Sequence, residues 1–509
     1  MRDLPLALSA KGWDVSVATP SYGSLHNLPD TKQLATIEVQ FRGELHEVSV
    51  WQIPCEMKRV RNIVFHHKLF SEHGTGRIYV GDDTTRPFAS DADKFAFFCA
   101  AAATWISASE HLPDVVHLHD WHASFYLLLT HYAGEFAELR KIRTVFTIHN
   151  LSYQGTRPFS GDKSSLAAWY PDLHPNYAET VDPRYDDCVN PMASAIRLAD
   201  RVSTVSPTYA KEICKPNDPP AGFVGGEGLE DDLIDARDEG RLFGVLNGCY
   251  YDQPLGRRSG WQRLLGMIET QLLEWQEKEP TNPAHALALS RIAALPKRRP
   301  AHLLTSIGRF VAQKVTLLLH KFDNGEIALE RIAEAVGDSG VIILLGSGEP
   351  EFEERMLRLA EQVPNLVFLH GYSEDLAAPL YRGGDLFLMP SSFEPCGISQ
   401  MLAMRGAQPC VVHGVGGLTD TVEDGITGFV FDGDTPTAQA ADFVDTTARA
   451  IDIRSTDPID WQSICHTAAS RRFDWASSAE QTIQTLYGDK NEHKTQQEQR
   501  LRGHRRRWS

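Results

Sequence analysis

The residues best suited to chemistry fall in three short segments. In FLMPSSFEPCGISQ, Glu394 follows an apolar run and is flanked by Pro395 and Gly397, which set an irregular turn where a helix would otherwise continue. A carboxylate pinned in this way can position a ligand or stabilise positive charge in a sugar ring; the plainer alternative is an acid favoured by a helix's first turn. In SIGRFVAQK, Arg309 closes another apolar run and Lys314 stands five residues on. Two cations at one strand end can clamp a diphosphate and offset the charge that grows on it as it leaves, or they can be a solvated pair. GVGGLTDTV adds Gly414, Gly416, Gly417 and Thr419, whose backbone N–H groups and hydroxyl can approach phosphate oxygens. A glycine-rich turn alone says little, but three anion-binding features occur in one region of the chain.

A fourth segment, VHLHDWHASF, sets His119, Asp120, Trp121 and His122 where a strand gives way to a helix. Histidines at 117, 119 and 122 straddle two element types, a poor spacing for a metal, so none is expected. His122, near the helix start, suits a contact to a sugar hydroxyl, with Asn150 at the end of the next strand as its companion.

The elements that must carry these residues are short apolar runs ending in polar or glycine-rich loops: DVVHLHD, RTVFTIHN, RVSTVSP, LFGVLNG, HLLTSIGR, VIILLGSGE, NLVFLHGY, DLFLMPSS and PCVVHGVGG. Continuous hydrophobicity marks strands buried on both faces. The pattern predicts an α/β fold of doubly wound parallel sheets, whose functional residues gather beyond the strands' carboxyl ends. Two blocks, 14–248 and 301–431, predict two such domains with a cleft between them, joined by a helical stretch over 249–300. Alternating residues over 32–80 read as a β-rich insertion. At the start, Pro5, spaced leucines and Gly12 predict a short helix followed by a strand over 14–19.

Composition narrows the class. With 509 residues, 42% hydrophobic and 23% charged, the chain is ordinary globular material. A net charge of −17 argues against tracking a nucleic-acid backbone. No apolar run reaches the roughly 20 residues that span a bilayer, and eight scattered cysteines without a CxxC pair fit a reducing cytoplasm. The tail over 489–509 is basic and lacks apolar periodicity, which predicts disorder.

HDWHASF, TIHNLSYQG, ADRVSTVSPTYAKEI, GVLNG, GRFVAQK, FEPCGISQ and GVGGLTDTVEDGITGFVF, in this order, resemble bacterial glycogen synthases and plant starch synthases from residue 1 to about 488. The resemblance implies a GT-B fold, two Rossmann-like domains facing a cleft, that transfers glucose with retention from ADP-glucose or UDP-glucose to the non-reducing end of an α-1,4-glucan. It implies no metal or cofactor, no nucleic acid and no membrane. By the same resemblance Arg309 and Lys314 bind the donor diphosphate, Glu394 orients the glucosyl group and His122 supports the sugar. Tyr372 stacks on the base. Gly416, Gly417, Leu418 and Thr419, with Cys396 and Gly397, belong to the donor site, and Asn150, Asn190 and Asn247 to the sugar site. The domains fall at 1–248 and 301–470, and a helix over 471–488 crosses back to the first.

Three departures accompany the likeness. Val315 stands where the family has glycine, Ser90 where it has an aspartate, with Asp91 one position on, and the segment 251–300 differs throughout. The resemblance also places an opening strand and a Lys-x-Gly-Gly-Leu loop immediately before Met1. The alternative reading is therefore a catalytically impaired glucan-binding or assembly partner of a full-length synthase.

Overall fold

The computed structural model describes residues 3–82, 85–251 and 260–488; the basic tail lies outside them. After the Leu4–Ala10 helix, β1 (Val15–Pro20) pairs in parallel with β4 (Val60–His66), and β4, β3 (Glu44–Ile53) and β2 (Lys32–Phe41) continue the sheet antiparallel. This is the β-rich segment that the alternating residues predicted. It buries Val39 and Phe41 and leaves the intervening residues outside. The rest of the first half is parallel: β5 (Val115–His119), β6 (Arg143–Ile148), β9 (Arg201–Thr204) and β10 (Leu242–Gly244), in the order β10-β9-β6-β5, with a two-stranded ribbon of β7 (Arg157–Pro158) and β8 (Cys188–Val189) to one side. β1 and β5 are thus end strands of separate sheets, not members of one.

The second half is one six-stranded parallel sheet, built from β11 (His302–Ile307), β12 (Gly340–Gly346), β13 (Leu366–His370), β14 (Leu386–Met389), β15 (Cys410–His413) and β16 (Gly428–Phe431). Its order is β13-β12-β11-β14-β15-β16. Every residue of β12 is buried, as its unbroken GVIILLG requires of a strand covered on both faces. Alternate residues divide between two cores. Leu304, Ile342, Leu344, Leu366 and Phe368 meet the helices over 328–362, whereas Leu303, Val341, Ile343, Val367 and Leu369 meet Leu264, Ile268, Leu272 and Ile292. The stretch read from sequence as a connector therefore supplies, through the Trp261–Lys278 and Pro283–Ala294 helices, much of the core on one face of β11, β12 and β13.

The chain then returns to the first half. The Trp475–Thr482 helix and the turn Ile483–Tyr487 bring Ala479, Leu486 and Tyr487 against Leu8, Val145 and Val245. The Tyr487 hydroxyl lies 2.9 Å from His117 Nδ1, and Arg143 donates to the Leu486 carbonyl at 3.2 Å. Among the described residues no helix is long and apolar enough to cross a membrane.

This return predicts an asymmetry between two contacts on the same helix pair. Leu486→Ala removes a side chain 1% exposed and should lower unfolding free energy by about 2–5 kcal/mol. Lys11→Ala, whose pair with Glu480 lies at the surface, should leave the urea midpoint unchanged. Equal shifts would contradict the packing.

Candidate active site

In an open parallel sheet, ligands bind outside the strands' carboxyl ends at the point where strand order reverses. That point lies between β11 and β14. Beyond β11 the chain presents Arg309, exposed, and then Lys314 on the single turn Ala312–Val315. Beyond β14 comes the turn that carries Glu394. The two join: Lys314 Nζ donates to Glu394 Oε2, and Ser391 Oγ donates to the same oxygen at 3.0 Å. The backbones are tied as well, by Ser392 N–H to the Gln313 carbonyl at 2.8 Å and by Gln313 Nε2 to the Phe393 carbonyl at 2.9 Å. Val315, at the family's glycine position, is buried in the core below.

The glycine turn closes over this pair. Gly416 has φ +44°, and a Cβ there would stand 2.0 Å from the Glu394 carbonyl oxygen; one on Gly417 would stand 2.3 Å from that of Cys396. Close backbone approach is what these positions require. Their N–H groups are engaged, Gly416 with Glu212 Oε1 at 2.9 Å and Gly417 with the Glu394 carbonyl at 3.0 Å. A phosphate oxygen at Gly416 therefore has to replace the Glu212 carboxylate. Leu418 and Cys396 are buried, and burial pushes the Cys396 thiol up to about 12, which leaves it protonated. Thr419 is exposed, and Gly397 has φ +72° beside the Gln400 amide.

Tyr372, 73% exposed, stands on the loop after β13. Connector residues hold that loop: a Cβ on Gly371 would meet the Trp275 ring at 2.9 Å, and Ser373 Oγ donates to Gln271 Oε1 at 2.7 Å. An open aromatic face on a braced loop suits stacking against a base.

The first domain faces this group. Asp120, at φ +56°, takes the strand-to-helix corner and accepts the His149 N–H at 2.7 Å, which ties the end of β6 to the helix Asp120–Tyr132. His122 on the first turn of that helix is stacked on Trp121 (ring centroids 4.3 Å) and lies 4.6 Å from Phe95 and 5.6 Å from Tyr79. Burial, then the nearby Lys94 charge, drives its pKa down to about 3, so the ring is neutral at pH 7. Its Nε2 is buried without a partner.

Lys94, which the motifs did not reveal, completes the wall with Asp91. Lys94 pairs with Asp91 at 2.8 Å and donates to the Ile78 carbonyl, while Asp91 accepts the Val80 N–H at 3.3 Å. Together they hold Tyr79 beside His122, within electrostatic reach of Arg309 across the cleft. Ser90, the departure from the family's aspartate, bonds Asp82 with its hydroxyl at 2.6 Å and its N–H at 2.7 Å.

The asparagines separate. Asn247 stands half-buried on the wall of a cavity of about 30 Å³ with His119, His149 and Thr204, its backbone against the Cys396 thiol. Asn150 Oδ1 accepts the Ser152 N–H at 3.0 Å. Asn190 is fully buried. It caps the Pro191–Leu198 helix through Ala193 N–H at 2.9 Å and donates to Gln154 and Asp182 at 2.7 and 2.8 Å. Its amide is engaged in this network.

VSPTYAKEI turns out to clasp the domains together. Ser206 Oγ donates to the Pro395 carbonyl at 2.6 Å, Thr208 donates to Asp420 through N–H and hydroxyl at 2.8 Å each, and Glu212 meets Gly416. The segment joined to the turn of Glu394 is thus the one next to β9 in the other domain.

Two Rossmann-like domains facing a cleft, with cations and a carboxylate at one sheet's switch point and a neutral imidazole opposite, define a GT-B glycosyltransferase. Residues 1–235 match the starch synthase catalytic domain and residues 301–449 the group 1 glycosyl transferases. A glycogen synthase of Anaeromyxobacter sp. (strain Fw109-5) is 33% identical over 95% of this chain and 94% of its own. Another, of Francisella tularensis subsp. novicida, is 31% identical over 94% and 93%. The catalytic domain of starch synthase IV from Arabidopsis thaliana, solved bound to ADP and acarbose, superposes with a TM-score of 0.72 at 28% identity, covering 95% of this chain and 93% of that one. Sucrose-phosphate synthase from Thermosynechococcus elongatus shares the fold, with a TM-score of 0.51 at 18% identity. The chain belongs to the glycogen synthase family, and these likenesses favour a transferase over a non-catalytic glucan-binding partner.

The buried imidazoles make stability depend on pH in a stated direction. His117 and His122 are both held down to about 3, chiefly by burial, and take protons near 6.5 once unfolded. The folded state therefore loses stability as pH falls below about 6.5, and goes on losing it until about 3, where the folded rings protonate too. At pH 5 the loss should be about 2 kcal/mol for each histidine. Urea titrations at neutral pH and pH 5 measure it, and His122→Asn should flatten the dependence. An unchanged slope in that variant would refute the assignment.

Proposed function

We propose that the chain transfers glucose, with retention, from ADP-glucose to the non-reducing end of an α-1,4-glucan such as glycogen. The observation that carries this reading is the Lys314–Glu394 pair at the switch point, with Arg309 exposed at its mouth. Arg309 and Lys314 bind the diphosphate and offset the charge that grows on it as the sugar bond breaks. Glu394, fixed by Lys314 and Ser391, orients the glucosyl group and faces the positive charge that develops in its ring. The departing diphosphate helps deprotonate the incoming 4-hydroxyl on the same face of the sugar, so Glu394 acts by its field and not as a nucleophile. His122, uncharged and with Nε2 bare, supports a sugar hydroxyl, and Asn247 and Asn150 belong to the sugar site.

Tyr372 stacks on the base, and the turn over 416–419 receives phosphate oxygens once Glu212 yields. The ADP bound to the Arabidopsis starch synthase supports adenine as the base; UDP-glucose is the donor to compare. No cofactor or metal takes part in the transfer. A reducing cytoplasm fits the absence of any disulfide among the described residues.

The test is incorporation of labelled glucose into glycogen from each donor. Lys314→Ala should slow turnover by one to two decades, since a charge-assisted contact is worth about 1.5–3 kcal/mol. Glu394→Gln should cost about 10²–10³ in turnover with little change in ADP affinity, because its charge matters most in the transition state. Full turnover in the Glu394→Gln protein would exclude its role.

A further inference from the structure

We propose that Glu279, His285 and His370 bind a zinc ion that fastens the helical hairpin of residues 261–294 to the carboxyl end of β13. One donor atom from each of the three lies within 4.8 Å of the other two. His285, on the Pro283–Ala294 helix, is 1% exposed. Its Nε2–H donates to the His370 carbonyl at 3.0 Å, which leaves the lone pair on Nδ1. That Nδ1 is buried and meets no hydrogen-bond partner. A bare acceptor in a protein interior costs free energy unless a positive group faces it.

His370 is arranged to match. Its Nδ1 faces Asn282 Nδ2 at 2.8 Å, and its Nε2 lies 2.9 Å from Glu353 Oε1 on the Pro350–Gln362 helix. His370 Nε2 makes no hydrogen bond to that carboxylate, so the orienting partner usual for a metal-bound histidine is present at His285, whose Nε2 has a carbonyl behind it. Asn282 Nδ2 also donates to Glu279 Oε2 at 2.9 Å. The amide nitrogen, carrying partial positive charge, therefore stands where the Glu279 and His370 donors converge. It satisfies those two and leaves His285 Nδ1 unmet. A cation in its place would meet all three, once Asn282, which caps its helix through Ala284 N–H at 3.1 Å, turns its amide nitrogen aside.

Two imidazoles and one carboxylate, with a fourth position for water, suit zinc; calcium and magnesium favour sets made of oxygen alone. The consequence for the cleft is mechanical. His370 ends β13 two residues before Tyr372, so the ion would brace the loop that Trp275 and Gln271 already hold. It is remote from the Lys314–Glu394 pair in the sequence and in its elements, and it does not depend on the donor proposed above.

The full chain, stripped with a chelator and dialysed, should take up one zinc ion in competition with a chromophoric chelator. Glu279→Gln and His285→Leu should each weaken uptake at least about tenfold. Cobalt in place of zinc should give visible ligand-field absorption that His285→Leu abolishes. Zinc should raise the melting temperature of the unaltered protein and not that of the variants. Glu279 is exposed, so Glu279→Gln keeps the test open if the buried substitution fails to fold. No tight zinc in the unaltered chain, undiminished uptake in both ligand variants, or uptake lost on changing His119 and kept in His285→Leu would each overturn the proposal.

Discussion

The ion pair of Lys314 and Glu394 sets the terms for everything around it. Bringing a carboxylate and an ammonium out of water costs several kcal/mol for each ion, and attraction between them offsets that only when geometry is good and remaining lone pairs are met. Here one carboxylate oxygen receives both Lys314 and Ser391. The surrounding backbone is held by Gln313 on one side and by the Gly416–Gly417 turn on the other. Glycine is required at 416 and 417 because any larger residue would strike the carbonyls of 394 and 396. The irregular turn, the glycine-rich loop and the single helical turn carrying Lys314 are therefore parts of one solution to one electrostatic cost.

That solution extends across the cleft. Ser206, Thr208 and Glu212 reach from the first domain to Pro395, Asp420 and Gly416. The carboxylate of Glu212 takes a backbone donor that an anionic ligand would also want. Burial raises its pKa, with the Gly416 N–H pulling the other way, so the contact is made against the desolvation cost of the charged carboxylate. The proposed anion binding at the turn would draw on the same N–H as attachment of the domains, and by linkage each would weaken the other.

How much of this was legible in the sequence follows from how local each cause is. Strands buried on both faces announce themselves by unbroken apolar runs, and Glu394 by the proline and glycine that deny it a helix. The connector did not announce itself, since amphipathic helices carry no motif and Leu264, Ile268 and Leu272 read equally well as surface or core until β11 and β12 are beside them. An asparagine immediately before Pro191 is also a strong helix cap, and Asn190 takes that role. Lys94 escaped notice because its partner Ile78 lies on a loop whose position only tertiary packing fixes.

The choice between adenine and uracil cannot rest on Tyr372 itself. Stacking on an aromatic face tolerates any base, because every base has a π-face. Discrimination has to come from polar groups that one base satisfies and the other leaves bare, a difference that is large when those groups are buried. Around Tyr372 such groups belong to the 371–373 loop and to the helix that braces it through Trp275 and Gln271. That helix lies in the stretch 251–300, which carries none of the motifs shared with the family. On the proposed stacking at Tyr372, base preference would be governed less by the motifs that identify the family than by the segment that looked like a spacer.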